Sequence, residues 1–288
     1  MGLGVCIKAV GSLLVVCLLL MAGPAVAQEM GALTLVEGPL RLIRGTTVLQ
    51  GADGVRLRPG DIVETSDGGF AQLEFTGGTI IALSSSTRVI LFSHTASRDT
   101  HGNAEGGLLL LSGWLKSQTG SSSQAFRCDS PLLAATIQDG SLVLRATAQA
   151  TEIFVESGSA RIGEVNMEGK WRNPQIAKGG KFYSRSASKN IAVNPRPTSA
   201  FIEAMPRPFR DTFPSRMPRF ANKQPQPKRD HEVTYSEIQP WLTARQAWRS
   251  GFVQRFQPRL QDPAFRKALE AHLKDHPEWT TVVHTERN

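Results

Sequence analysis

The sequence predicts an all-β domain, a sandwich or β-roll of short antiparallel strands, followed by a Pro-rich arm and a small α-helical C-terminal unit. Three observations predict it. From Gly31 to about Val193, short alternating apolar runs are divided by Gly, Asp, Ser and Thr at about ten-residue spacing. Between Pro195 and Pro240 lie nine of the 17 prolines. Beyond Ser236, apolar residues return at helical spacing.

The first element is a leader. Lys8 supplies a positive charge, Ser12 to Met21 an apolar core, and Ala25-Val26-Ala27 the small-residue pattern that signal peptidase needs before Gln28. The apolar run is short for a membrane span, which takes roughly twenty residues. Residues 1–27 are therefore expected to be a cleaved signal peptide, and the protein to be periplasmic, with no transmembrane helix after cleavage. Cys6 and Cys17 leave with the leader. Cys128 cannot then form an internal disulfide, and is expected as a small buried hydrophobe.

Net charge is +8, unevenly spread. Gln28 to Asn194 holds 16 basic and 15 acidic residues, and Asp230 to Asn288 eight of each. Arg196 to Arg229 holds eight basic against two acidic residues, so the basicity belongs to the connecting stretch. For an exported chain this excludes nucleic acid as the expected partner and favours anionic envelope components.

Residues 28–194 form the expected β-domain. Ala71-Gln72-Leu73-Glu74-Phe75 alternates, Gly77-Gly78 turns, and Thr79 to Leu83 returns. Ser84-Ser85-Ser86 breaks that strand before Thr87 to Leu91. Asp139-Gly140 reads as a turn into Ser141 to Arg145, and Thr151 to Val155 leads through Gly158 into Ala160 to Ile162. Ser117 to Gln124 reads as a mobile polar loop. Residues 195–235 form the arm: prolines exclude regular interiors, yet Phe201, Met205, Phe209, Phe213, Met217 and Phe220 recur. A flexible linker carries few aromatics, so the arm is expected to lie on another surface, with only Asn222 to Asp230 mobile. In residues 236–288, Ser236 is the expected N-cap, and Trp241, Ala244, Trp248 and Phe252 share a helical spacing that Pro258 ends. Asp262-Pro263 opens a second helix with Phe265, Leu269 and Leu273 on one face, ended by Pro277.

Catalytic signatures are missing from the sequence. There is no G-x-S-x-G elbow. Gly163 to Lys170 has five residues between its glycines and Trp171 after its lysine, where a phosphate loop needs four and a hydroxyl residue. His272 and His276 are four apart, but no third ligand accompanies them, so no metal and no cofactor is expected. Asp61, Asp67, Glu74, Asp139 and Glu156 read as solvated carboxylates. Helical spacing assigns Trp241 and Trp248 to packing. Trp171, beside Lys170, Arg172 and Asn173, reads as an exposed anchor. With the arm's Arg207, Arg210, Arg216 and Arg219, Trp171 and Arg172 are the candidate partner-binding residues.

The run Gly60-Asp61-Ile62-Val63-Glu64-Thr65, Gly69 to Phe75, Gly78-Thr79-Ile80-Ile81-Ala82-Leu83 and Thr87-Arg88-Val89 resembles the FecR domain family. Gly38-Pro39-Leu40 with Arg44-Gly45 fits that family's first hairpin, and Ile153-Phe154-Val155 with Gly158 to Ile162 fits its late strand pair. The resemblance runs from about Met30 to Arg185; Gly77 stands where the family has Asp, and Ser84 to Ser86 replace its usual turn. Regulators of the family carry a cytoplasmic anti-sigma segment and a membrane helix before this domain. With the leader expected here, that role is not implied; the likeness is to secreted stand-alone FecR-domain proteins of Gram-negative bacteria, whose tails resemble this one. The expectation is a non-catalytic periplasmic module, not an enzyme, that binds an envelope protein or a cell-wall or outer-membrane component in sensing or assembly. A peptidoglycan- or polysaccharide-binding protein is the second reading and an envelope hydrolase the third.

Overall fold

Sixteen strands dominate the computed structural model, which describes residues 29–93, 106–249 and 251–285. The expected signal peptide lies outside the described residues. No described helix is long and apolar enough to cross a membrane.

The strands β1 (Gly31–Glu37), β4 (Arg56–Leu57), β6 (Phe70–Phe75) and β7 (Ile80–Leu83) start one layer. The strands β2 (Leu40–Arg44), β3 (Thr47–Gln50), β5 (Ile62–Thr65) and β8 (Arg88–Ser93) start the other. Three long strands, β9 (Gly106–Thr119), β11 (Leu133–Ala146) and β12 (Ala150–Val165), run through both. The first half of β9 pairs with β8 and, in parallel, with β10 (Phe126–Asp129); its second half pairs with β7 and β11. β13 (Trp171–Lys178) flanks the second half of β12, while β14 (Phe182–Ser186) and β15 (Ala192–Asn194) flank its first half.

The fold class is mainly β, as the alternation predicts, but the strands through its centre are long. Asp139-Gly140 is the clearest difference. It is not a hairpin turn: Gly140 sits inside β11 at φ +108°, directly opposite Gly158 of β12 at φ +68°. A Cβ on Gly140 would stand 2.2 Å from the Ser157 carbonyl, and one on Gly158 would stand 2.1 Å from that of Asp139. Two glycines facing each other let both strands turn the same corner. Likewise, Ser117 to Thr119 belong to β9 and are not part of a loop.

Alternation fills the interior. Leu42, Val63, Leu73, Ile81, Leu108, Leu142 and Ile153 share one buried cluster drawn from both layers, with Cys128 fully enclosed in it. Burial and neighbouring Asp129 push that thiol far up, so it is inert.

The tail covers both outer faces. On the first layer, Phe201, Met205 and Phe209 pack on Phe70, Ala82, Val143 and Phe182, as the arm's aromatics predict. Burying one such ring is worth about 1.5–3 kcal/mol. On the second, Tyr235, Trp241, Phe256, Phe265, Leu269 and Trp279 pack on Ile43, Ile62 and Leu109. The segment between them is not free throughout: β16 (Lys228–Glu232) pairs with β3 and overlaps the end of the Asn222–Asp230 stretch expected to be mobile.

The helical spacing is right, the boundaries less so. Thr234, not Ser236, caps Tyr235–Leu242, in a capping box with Glu237. The run to Phe252 is broken into Tyr235–Leu242, Gln246–Arg249 and Phe252–Phe256. Asp262 caps Pro263–Ala271 as read, accepting from Ala264 N at 2.9 Å. That helix stops at Ala271, and Pro277 opens a 3₁₀ turn instead of ending it.

Candidate functional site

The carboxylates read as solvated are in part the most buried charges. Glu74 points outward from β6, as alternation requires, but lies under the arm at 3% exposure. It accepts the Ser215 hydroxyl at 2.6 Å and the backbone N–H groups of Arg216 at 2.6 Å and Met217 at 3.1 Å. Burial alone would raise its pKa, yet these donors and the Thr34 hydroxyl hold it below the ordinary value. Beside it, Gln72 donates to the Pro214 carbonyl at 2.9 Å, and Gln118 accepts from Phe213 N at 2.7 Å. Buried Lys116 donates to the carbonyls of Phe209 and Asp211 at 2.7 and 3.0 Å and pairs with Glu156 at 2.8 Å. The polar outward positions of the first layer thus fix the main chain of the arm.

The same holds on the second layer. Asp61 accepts from Nε and Nη2 of Arg44, at 2.9 and 2.7 Å. Glu64 accepts the Trp241 indole N–H at 2.9 Å. Arg255 donates to the carbonyls of Gly45, Gly60 and Ile43, and burial brings its pKa down to about 10. His276 is buried, not exposed, and bonds Tyr235 Oη at 2.7 Å, while His272 Nδ1 bonds the Ala268 carbonyl. Among the described residues no group of three His, Cys, Asp or Glu could hold a metal ion.

Two surfaces among the described residues bear on partner binding. The first is the outer edge of β13. Its hairpin turn is built by Asn166, whose side chain accepts from Glu168 N and Lys170 N, and Arg245 ties the tip to the helical unit through the Val165 and Asn166 carbonyls. Arg172 is exposed, as expected. Trp171 is not an exposed anchor: it is half-buried, with the Arg127 guanidinium 5.0 Å from its ring centroid. A Cβ on Gly163 would stand 3.1 Å from its ring, so glycine there lets the indole lie close against β12. The exposed apolar groups here are instead Ile176 on β13 and Met167 in the turn, 67% and 74% exposed; Val193 on β15, 48% exposed, lies elsewhere. Arg207, Arg210 and Arg219 are exposed on the arm, and Arg216 is half-buried. They lie over the first layer, whereas β13 flanks the second, so the candidates do not converge on one site.

The second open surface is a groove of about 680 Å³ floored by β2, β5 and β8 and walled by β16 and the capped end of Tyr235–Leu242. Pairing puts Arg41 opposite Glu64, and Glu64 opposite Arg88. The sequence marks each as an outward strand position, but their alignment follows from strand pairing between β2, β5 and β8. Glu64 lies 3.5 Å from Arg41 and 3.6 Å from Arg88, and Arg41 lies 3.4 Å from Glu237.

Residues 61–161 match the family model described as FecR protein. That segment is similar to the FecR domain. It covers the corner strands β9, β11 and most of β12; the resemblance read from the sequence extends further at both ends. No curated protein matches the chain. Two solved structures are similar, both of a Parabacteroides distasonis ATCC 8503 protein provisionally described as an anti-sigma factor. One is 9% identical at a TM-score of 0.37, over 47% of this chain and 59% of that one. The other is 10% identical at 0.38, over 50% and 64%. The chain therefore spans about three fifths of either neighbour's length.

Proposed function

We propose that this FecR-domain protein is a non-catalytic, exported interaction module of the bacterial envelope that holds an extended segment of a partner protein along the open edge of β13. The observation that carries the reading is the unpaired outer edge of β13 beside exposed Ile176 and Met167, while the tail covers the apolar outer faces of both layers. An unpaired edge offers main-chain donors and acceptors to an added strand. Lys170, Arg172 and Lys178 give that edge an excess of positive charge and favour an acidic segment. Pro174 interrupts it, which limits unspecific sheet extension. Asp61, Glu64 and Glu74 are each consumed in structural bonds, which supports a role other than acid–base chemistry. The leader features at Lys8 to Ala27 support export. The covered ring of Trp171 weighs against stacking on a sugar.

The test is a photo-crosslinking residue at position 176 in cells that make the protein. One discrete adduct is expected, lost when Arg172→Glu and Lys178→Glu reverse the edge charge. No adduct at 176, alongside adducts at Arg207 or Arg219, would move the binding surface to the arm.

A further inference from the structure

Among the described residues β13 pairs with β12 alone, and its outer edge carries a definite pattern of donors and acceptors. Gly179 N–H donates to the Gly158 carbonyl at 2.9 Å, in the register that sets Ala177 opposite Ala160 and Gln175 opposite Ile162. Bonded positions alternate along an antiparallel ladder, so Gln175, Ala177 and Gly179 turn their main-chain groups to β12. Ile176 and Lys178 turn theirs away. The trans peptide between Pro174 and Gln175 sends the Pro174 carbonyl outward, opposite to the Gln175 N–H. Proline itself supplies no N–H. The Lys178 carbonyl is already taken, by the N–H of Lys181 at 3.3 Å. From Pro174 to Lys178 the edge therefore offers two donors, on Ile176 and Lys178, and two acceptors, on Pro174 and Ile176.

We propose that β13 pairs antiparallel with β13 of a second copy of this chain, about a two-fold axis at Ile176, and that this dimer holds the edge until an acidic partner segment displaces it. The displacement rests on the function proposed above; the pairing does not. In this register each Ile176 faces its counterpart and exchanges two N–H···O bonds with it, and each Lys178 N–H meets the other copy's Pro174 carbonyl. All four free groups of each edge are then used. The one donor that proline cannot supply falls opposite the Lys178 carbonyl that Lys181 already fills. A slip of two residues either way sets an Ile176 group against proline or against that filled carbonyl. One register alone is complete, and it closes as a two-fold pair. Ile176, 67% exposed, gains an apolar neighbour in its counterpart, with the Cα atoms about 5.5 Å apart. Lys178 stands opposite Pro174 and not opposite Lys178, yet each copy brings Arg172 and Lys178 to the interface. Like charge therefore weakens the pair and salt strengthens it, whereas salt weakens the hold on an acidic segment.

The test is sedimentation velocity of the purified full-length protein at low and high salt, with acetyl-Glu-Val-Thr-Val-Glu-amide and acetyl-Gln-Val-Thr-Val-Gln-amide as probes. A reversible monomer–dimer equilibrium is expected, tighter at high salt. Ile176→Pro removes the central donor from each copy and is expected to weaken the dimer about tenfold, a loss of about 1.4 kcal/mol. Val193→Asp, on exposed β15, is expected to leave it unchanged. At low salt the acidic peptide is expected to dissociate the dimer and the neutral one to leave it intact. A protein that stays monomeric, a dimer loosened by salt, an equal loss in Val193→Asp, or two peptides that act alike would each overturn the proposal. The salt response uses the unaltered sequence, so the result stands even if a variant folds poorly. The adduct to another protein at position 176 in cells decides the function separately, since it can form with a chain that sediments as a monomer and can fail with one that dimerises.

Discussion

Glu74 shows how one side chain can join a domain to its tail. Its two oxygens take three donors from Ser215 to Met217, all on the arm. Glu74→Ala leaves buried N–H groups without partners, at about 1–3 kcal/mol each. Its expected effect is a loss of about 3 kcal/mol in denaturant unfolding, with the arm released first. The pH dependence has a definite sign. Hydrogen bonding outweighs burial and holds the folded pKa below 4.5, so the unfolded chain binds the proton more readily. The contribution is therefore complete above 4.5 and is lost as pH falls through the folded value. Glu74→Gln is expected to flatten that acid limb. Alternation correctly marks Glu74 as outward. What it cannot show is that outward is not the same as exposed, because the cover comes from residues 141 to 143 positions further along the chain.

The long strands and the capped helices show where local signals succeed and fail. Asp139-Gly140 has the composition of a hairpin turn, and its positive φ was legible as glycine chemistry. Whether such a residue reverses a strand or bends it depends on the partner opposite, here Gly158. Gly140→Ala must hold an alanine at φ +108° and push against the Ser157 carbonyl, so a loss of about 3 kcal/mol is expected, read as a lowered melting temperature. In the helical unit, spacing located the buried aromatics and the Asp262 cap, while the first cap lies at Thr234 and not at Ser236. Buried His276 gives that unit a pH dependence. It meets Tyr235 by bond and ring contact, and Asp275, Glu278 and Arg249 by charge. Burial, the largest effect, lowers its pKa from 6.5, so the unfolded chain takes up the proton first as pH falls. Stability is full above about 6.5 and declines below it towards the folded value. Unfolding of the unit followed between pH 8 and 5 is expected to show this slope, and His276→Gln to remove it.

At the scale of the molecule, the layers follow one order: arm, sheet, sheet, helices. The arm's aromatics and the helical spacing made both outer layers legible as apolar elements in search of a surface. The choice of surface was not legible, since Phe201 meets Phe182 and Trp241 meets Glu64 only through the topology between them. The β13 edge was missed for a related reason. Trp171 drew attention by its residue type, but it is Ile176, a plain strand residue, that the pairing leaves exposed. In this fold the tail is a structural layer, and β13 is one of the strands whose outer edge stays unpaired among the described residues. Amide hydrogen exchange of the full-length protein tests that most directly. Slow exchange is predicted at Phe213, Arg216 and Met217, whose N–H groups are held by Gln118 and Glu74, alongside fast exchange at the outward amides of β13. Exchange of those three amides at the rate of an unfolded chain would contradict the account and return the first-layer face, with Phe70 and Phe182, to the surface.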